Sequence, residues 1–387
     1  MSEATMDVAA DEAQELARML RDSARDFAQA RLGRAQRATP ADADTAVSAA
    51  WREMTALGWL GLLVATAHGG SGLGMAEMAV VLEELGRVAS CEPLAATGVL
   101  AVQAIAGSDQ AALRARLLEG LVQGEELPAL AWQEHARLQA DDATSSLRAE
   151  SSAQGWRLSG GKRFVQPGTG WSGLVLPVQR DDGLALLWLP RATPGLTVQP
   201  ARLADGSGCA DLRCDGVLLA EPQWLASPAV AAQALQQALA WGRLAAAAEL
   251  LGVVRGALAM LTEQLRTRVQ FGVPIGSFQG LRHRAADLFV QQELVSAAVQ
   301  ELCTLVDGGA VPHLAAQAAR VKARASSAAL LATKEAVQMH GAMGYTDECD
   351  VGLYLKRALV LSAWLGNATE LRTRHAAESL NLETEAS

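Results

Sequence analysis

The stretch Arg268–His283, RVQFGVPIGSFQGLRH, decides how this chain is read. Long alanine- and leucine-rich runs with apolar residues at helical spacing flank it on both sides. Three glycines, a proline and two phenylalanines interrupt them. Proline and closely spaced glycines end helices, so the segment is a break between two of them. Its side chains suit a planar, anionic ligand. Arg268 can meet an anionic group through paired N–H donors. Phe271 and Phe278 offer ring faces or edges, while Gln270 and Gln279 offer amides to polar ring edges. A second helix end, QMHGAMGYT (Gln338–Thr346), has glycines at 341 and 344 that allow close approach to a ligand or simply form a C-cap. Together these features suit a nucleotide with a pyrophosphate and an adenine.

Outward from this break, the chain falls into three textures. The first third is helical by pattern: DEAQELARMLRDSARDFAQARL has acids early and arginines late, as the helix dipole favours. TAVSAAWREMTALGWLGLL follows, with Thr45 as a candidate cap, then the loop TAHGGSGLG and a helix from Met75. That loop lacks G-x-G-x-x-G spacing and no strand precedes it, so it reads as a turn between helices and not as a phosphate cradle. From Gly124, short apolar runs split by Gly, Pro, Asp and Ser predict strands of an antiparallel barrel or sandwich, with QGW and SGGK as hairpin turns. From about Ala229 helices return. The run up to Arg268 is one helix or two, because Gly242, Gly252 and Gly256 weaken it. The order predicts an α+β protein of three domains, at 1–125, 126–227 and 228–387.

The chain has 387 residues, half of them apolar, and no run nears the ~20 apolar residues of a bilayer span. Its N-terminus opens with acids, so no signal peptide and no membrane is expected. A net charge of −9 argues against a sequence-independent grip on nucleic acid. Five scattered cysteines, with no CxxC and no zinc spacing, predict reduced thiols in a cytoplasmic protein and no metal site. No G-x-S-x-G is present, and His283, His340 and His375 lie on helices or their ends without a marked nucleophile.

Two patterns, RxQFGxPIGxFQxxxHRAAD from Arg268 and QxHGAMGYTDE…YLKRA from Gln338, closely resemble signature segments of the acyl-CoA dehydrogenase family. LGWLGLLVATAHGGSGLGMAEMAVVLEELGR resembles the family's N-terminal helix-loop-helix, and WRLSGGKRFV its β-domain turn. The resemblance covers most of the chain. It implies an N-terminal helical domain, a middle β-barrel and a C-terminal four-helix bundle. It also implies non-covalent FAD between β domain and bundle, an acyl-CoA substrate, an electron-transfer flavoprotein or similar acceptor, and a homotetramer or related dimer of dimers. Carried over by position, Arg268, Gln270, Phe271, Ile275, Phe278 and Gln279 contact the ADP part of an FAD that usually belongs to a neighbouring subunit. Gln338, His340, Gly341 and Ala342 lie along the same cofactor. Gln133 and Gln166 fall where threonines bond the flavin ring, Phe164 where a tryptophan often stands, and Arg243 beside the acyl-thioester pocket.

Family chemistry removes the α proton of an acyl-CoA with a Glu carboxylate and passes the β hydrogen to the flavin as hydride. A positioned carboxylate is needed because an unassisted α proton is too weakly acidic. The two family positions for this Glu are Leu365 and Gly242 here, and neither can take a proton. The family's T-E-P-x-x-G-S-D segment is reduced to WQEHARLQAD, Trp132–Asp141, with Glu134 recognisable. Glu249, about two turns after Gly242, and Glu370 are candidate substitutes, or else solvated or helix-pairing carboxylates. The residues Ala245–Ala248 indicate either room for a bulky substrate or close helix packing. Three readings follow: a dehydrogenase with a relocated base, a base-less subunit paired with a catalytic homologue in a heterotetramer, and a same-fold flavin monooxygenase. The second ranks first, with a steroid-derived or other bulky or dicarboxylic acyl-CoA as substrate, because the cofactor segment is kept while both base positions are changed.

Overall fold

The computed structural model describes residues 3–32, 49–136, 145–167, 170–309 and 311–385. The candidate cap Thr45 and the end of the Trp132–Asp141 segment lie outside them. Helix α1 (Glu3–Arg31) buries Ala24, Phe27 and Ala28, and Phe27 meets Trp59 edge-on at 5.1 Å. Helix α2 (Ala49–Ala56) leads through the glycine loop to α3 (Met75–Arg87). A Cβ on Gly70 would stand 2.1 Å from the Val64 carbonyl oxygen, so the loop closes tightly on its own chain. Asp307, far along the sequence, caps α3 by accepting from the Met75 and Ala76 N–H groups at 2.6 and 2.9 Å. Helices α4 (Ala95–Ala106) and α5 (Ala111–Gln123) complete the first helical group.

Among the described residues eight strands follow: β1 (Pro128–Leu130), β2 (Arg148–Ser152), β3 (Gly155–Val165), β4 (Gly173–Arg180), β5 (Gly183–Pro190), β6 (Leu196–Arg202), β7 (Gly208–Leu219) and β8 (Gln223–Ala226). They form one sheet in the order β6-β7-β3-β2-β4-β5-β8, with β1 beside β4. Most neighbours are antiparallel; β4 pairs with both β1 and β2 in parallel. Strands β4 and β5 read as unbroken apolar runs because both faces are covered. Leu174, Leu176, Leu187 and Leu189 point into the sheet's own core, while Val175, Leu186 and Trp188, on the alternate face, pack on the helices. The expected QGW turn is present, closing β2 and β3 at Ser152 and Gly155. The expected SGGK turn is not: Ser159–Lys162 run through the middle of β3, which shifts register between Leu158 and Ser159. Its glycines admit neighbouring backbone, since Cβ atoms on Gly160 and Gly161 would lie 2.8 Å from Leu147 Cα and 2.7 Å from the Leu212 carbonyl oxygen.

The last group comprises α6 (Ala231–Thr267), α7 (Gln279–Asp307), α8 (Leu314–His340), α9 (Val351–Ala363) and α10 (Ala368–Glu385). Helix α6 is a single element of 37 residues despite its glycines. Each glycine faces a neighbour instead of breaking the helix. A Cβ on Gly252 would sit 2.0 Å from the Glu83 carbonyl oxygen, and one on Gly86 of α3 would sit 2.1 Å from that of Glu249. Helices α3 and α6 thus cross with their backbones in contact. The four alanines Ala245–Ala248 are buried in this region, so their small size serves helix approach. Helix α6 is long and apolar enough to cross a membrane, but 83% of its most apolar window is buried inside the protein. The first and last helical groups share one hydrophobic core, which includes Leu60, Leu82, Ala246, Val254 and Leu288.

Candidate functional site: a clamp and a three-way crevice

The break at Arg268 is a miniature β-hairpin. Val269–Gln270 pair with Val273–Pro274, and the two linking residues, Phe271 (φ 54°) and Gly272 (φ 80°), both have positive φ, as a type I′ turn requires. Glycine adopts this freely, but phenylalanine does so under strain. The turn projects Phe271 into solvent, 91% exposed, with Phe278 set edge-on at 6.1 Å. Arg268, Gln270 and Gln279 are exposed beside it. Ile275, in contrast, is buried in the helical core and anchors the hairpin.

The Gln338 segment opens at the same end of the bundle. Helices α7 and α8 form an antiparallel pair, and an ion pair between Arg284 and Glu335 joins them five residues in from Gln279 and five before His340. Gln338, Gly341 and Ala342 are exposed there. His340 Nδ1 lies 2.6 Å from the Ala336 carbonyl oxygen, which orients the ring. Gly341, at φ 64°, is a true C-cap; a Cβ would meet nothing within 4 Å, so the backbone conformation, and not crowding, calls for glycine.

A second locus lies where the two helical groups meet the sheet. Leu100, Leu130, Trp132, Gln133, Arg163, Phe164, Val165, Gln166 and Trp364 line a crevice too narrow to admit a water molecule. The structure therefore brings Gln133, Phe164 and Gln166 together. Asp211 of β7 sets this wall by accepting from the Phe164 N–H and from Arg163 Nε, both at 3.1 Å. Phe164 is held at φ 52°, and the Arg163 guanidinium lies 4.7 Å from its ring centroid. The Gln133 side chain donates to the His135 carbonyl, leaving its oxygen as an acceptor. Behind it, Glu134 pairs with the buried Lys162 at 2.5 Å and accepts from the Ser146 N–H. Burial opposes ionisation of Glu134, but Lys162 and these donors prevail and hold its carboxyl at about 2.

The two expected base positions converge. An ideal Cβ on Gly242 would lie 3.0 Å from Leu365 Cδ1 and 2.7 Å from Leu100 Cδ1, and both leucines are buried. Hydrocarbon fills the point where these two positions meet. Neither candidate substitute reaches it as a free carboxylate. Glu249 is 2% exposed and bonded by Arg357, whose Nε donates to it at 2.9 Å while Nη1 reaches Asp205 at 2.7 Å. It is a buried, paired carboxylate, neither solvated nor poised over the crevice. Burial pushes its carboxyl up against the pull of Arg357. Glu370 accepts from the Asn367 N–H at 2.9 Å while Asn367 Oδ1 accepts from Thr369 and Glu370, a capping box at the start of α10. Arg243 has no exposed surface and donates from Nε to the Leu365 carbonyl at 3.2 Å.

One feature had no sequence signal strong enough to single out. Gln233, Gln236, Gln237 and Trp241 of α6 face Val311, His313 and Leu314 across an open groove of about 520 Å³. The glutamines follow the i, i+3, i+4 spacing of one helix face, which is equally the pattern of an ordinary polar surface.

With this geometry in hand, comparison with known proteins is direct. Residues 14–125 match the acyl-CoA dehydrogenase N-terminal domain, and residues 232–380 match the acyl-CoA dehydrogenase C-terminal domain. The acyl-CoA dehydrogenase IpdE2 of Mycobacterium tuberculosis is 30% identical, over 78% of this chain and 77% of that protein. A 3-sulfinopropanoyl-CoA desulfinase of Paraburkholderia xenovorans is 29% identical, over 81% of this chain and 83% of its own. Among solved structures, the Tcur3481-Tcur3483 steroid ACAD G363A variant has a TM-score of 0.85 at 28% identity, covering 97% of this chain and 99% of its own. The chain belongs to the acyl-CoA dehydrogenase family, FAD-binding oxidoreductases that act on the CH–CH group of acyl-CoA thioesters.

Proposed function

We propose that this chain is the base-less subunit of a heteromeric, FAD-dependent acyl-CoA dehydrogenase that desaturates an acyl-CoA between Cα and Cβ, its glutamate coming from a homologous partner chain. The observation that carries this reading is the convergence of Gly242, Leu365 and Leu100 on one hydrocarbon-filled point. The pairing of Glu249 with Arg357 and the capping role of Glu370 weigh against a relocated base.

The residues fit FAD best at the bundle end. Exposed Arg268 suits a pyrophosphate, the Phe271 and Phe278 rings suit an adenine, and the amides of Gln270, Gln279 and Gln338 suit its polar edge and ribose. A strained, solvent-facing phenylalanine is costly unless something covers it, and an FAD seated in the partner subunit would do so. When bound, FAD supplies the hydride acceptor; this chain's part is to hold and orient it. The groove beside α6 runs next to Gly242 and offers glutamine amides and an indole to the amide-rich arm of an acyl-CoA. A steroid-derived or other bulky or dicarboxylic acyl group, an electron-transfer flavoprotein as acceptor and a cytoplasmic setting complete the proposal.

The test is expression alone and with a homologue that retains glutamate at the position of Leu365. Gel filtration, flavin absorbance and dye-linked oxidation of acyl-CoAs are then measured. Activity only in the co-expressed assembly is expected. Full activity of the chain alone would sink the proposal, and oxygen uptake coupled to hydroxylation would replace it with monooxygenase chemistry. Failure of the assembly to retain FAD would leave a binding role without redox function.

A further inference from the structure

We infer that Lys322 is a positioning residue for the crevice: from behind, its amine fixes the turn that carries Trp364 and so sets where the crevice wall stands. Lys322 lies on α8 with no exposed surface. Its Nζ donates to the carbonyl of Ser362 at 2.8 Å and to that of Gly366 at 2.5 Å, the residues that bracket Trp364 and Leu365. Arg243, on α6, adds a bond to the Leu365 carbonyl at 3.2 Å. Two side chains from two helices therefore collect carbonyls from one short turn.

The turn needs such a grip for two reasons. Carbonyls at the end of a helix lack an intrahelical donor, and Ser362, Leu365 and Gly366 are buried away from water. The backbone is also strained: Leu365 stands at φ 60° and is followed by Gly366 at φ 104°. The capping box of Asn367 and Glu370 anchors the far side of the same turn. The chemistry of Lys322 matches its task. Burial drives its amine well below the ordinary lysine range, and nearby Arg243 adds to that. Charged or neutral, the amine keeps at least two N–H donors, one for each carbonyl. An apolar residue of the same volume would fill the space and leave both carbonyls unsatisfied. The inference concerns the shape of the crevice, so it does not depend on which chain supplies the base.

The emission of Trp364 reports the wall. It is isolated by subtracting the spectrum of each protein's Trp364→Phe partner, in the wild-type, Lys322→Met and Lys322→Gln backgrounds, well below each melting midpoint. We expect the Trp364 component of K322M to shift to the red and its acrylamide quenching to rise several-fold. K322Q, which keeps N–H donors on a shorter arm, should shift less in the same direction. A purely structural lysine would lower the melting temperature without moving this component. A folded K322M with unchanged Trp364 emission and quenching overturns the inference. If K322M does not fold, K322Q decides on the same readout, and no shift there overturns it equally.

Discussion

At the scale of single residues, Leu365 and Glu249 exchange the roles a family pattern would suggest. Leu365 stands where the resemblance leads one to expect the base and cannot take a proton, while Glu249 can take one but is committed to Arg357. Glu249→Gln should therefore act on stability. Removing one partner of a buried pair costs about 3–5 kcal/mol, read as a lower urea midpoint, with turnover per folded molecule of the assembled enzyme unchanged. Glu370→Gln weakens the cap of α10, at about 1 kcal/mol or less. A specific loss of turnover in either variant would restore the relocated-base reading. Glu134 gives a pH signature. Its folded carboxyl lies at about 2, below its ordinary value of 4.5, so its pair with Lys162 stabilises fully above that value and fades as pH falls toward about 2. Urea midpoints at pH 7 and pH 3 should converge in Glu134→Gln relative to wild type. The sequence could point to Leu365 and Gly242 because a leucine or glycine where a carboxylate is expected is visible in the letters. It did not reveal that Arg243 turns inward or that Glu249 is paired, because Arg357 and Asp205 are brought to Glu249 only by the fold.

At the scale of elements, the hairpin after α6 separates stability from binding. Phe271→Ala removes a side chain that is almost wholly in solvent, so the change in folding stability should stay within about 0.5 kcal/mol. Retention of FAD by the assembly on gel filtration should nevertheless fall; undiminished retention would remove Phe271 from the clamp. The crossing of α3 and α6 makes the opposite prediction. Gly252→Ala drives a methyl into the Glu83 carbonyl, and overpacking of this kind costs about 1–3 kcal/mol in thermal or urea unfolding. Glycine was the hardest letter to read in this chain. In α6 the glycines left one helix or two open, yet Gly252 and Gly256 admit α3, and in SGGK they suggested a turn, yet they lie within β3. Local propensity misplaced the SGGK turn and left α6 open as one helix or two, because the reason for the glycine was a neighbour distant in sequence. Helices whose apolar spacing alone carried the reading, such as α7 and α8, needed no such neighbour to be recognised.

At the scale of the whole molecule, the three segments read from composition bury two principal cores, because the first and last helical groups pool their apolar faces. Limited proteolysis of the native protein should therefore leave fragments 1–125 and 228–387 associated after a cut in the sheet; clean separation without denaturant would show the shared core to be dispensable. The same sharing bears on how the chain is made. Glu83 of α3 forms an ion pair with Arg255 of α6, 172 positions later, beside the contact of Gly86 and Gly252. At a synthesis rate of roughly 5–20 residues per second, α3 waits on the order of ten seconds for its partner to be translated. Throughout that interval the nascent N-terminal helices present an unfinished apolar face outside the ribosome, which makes this stretch of the polypeptide the natural client of a chaperone.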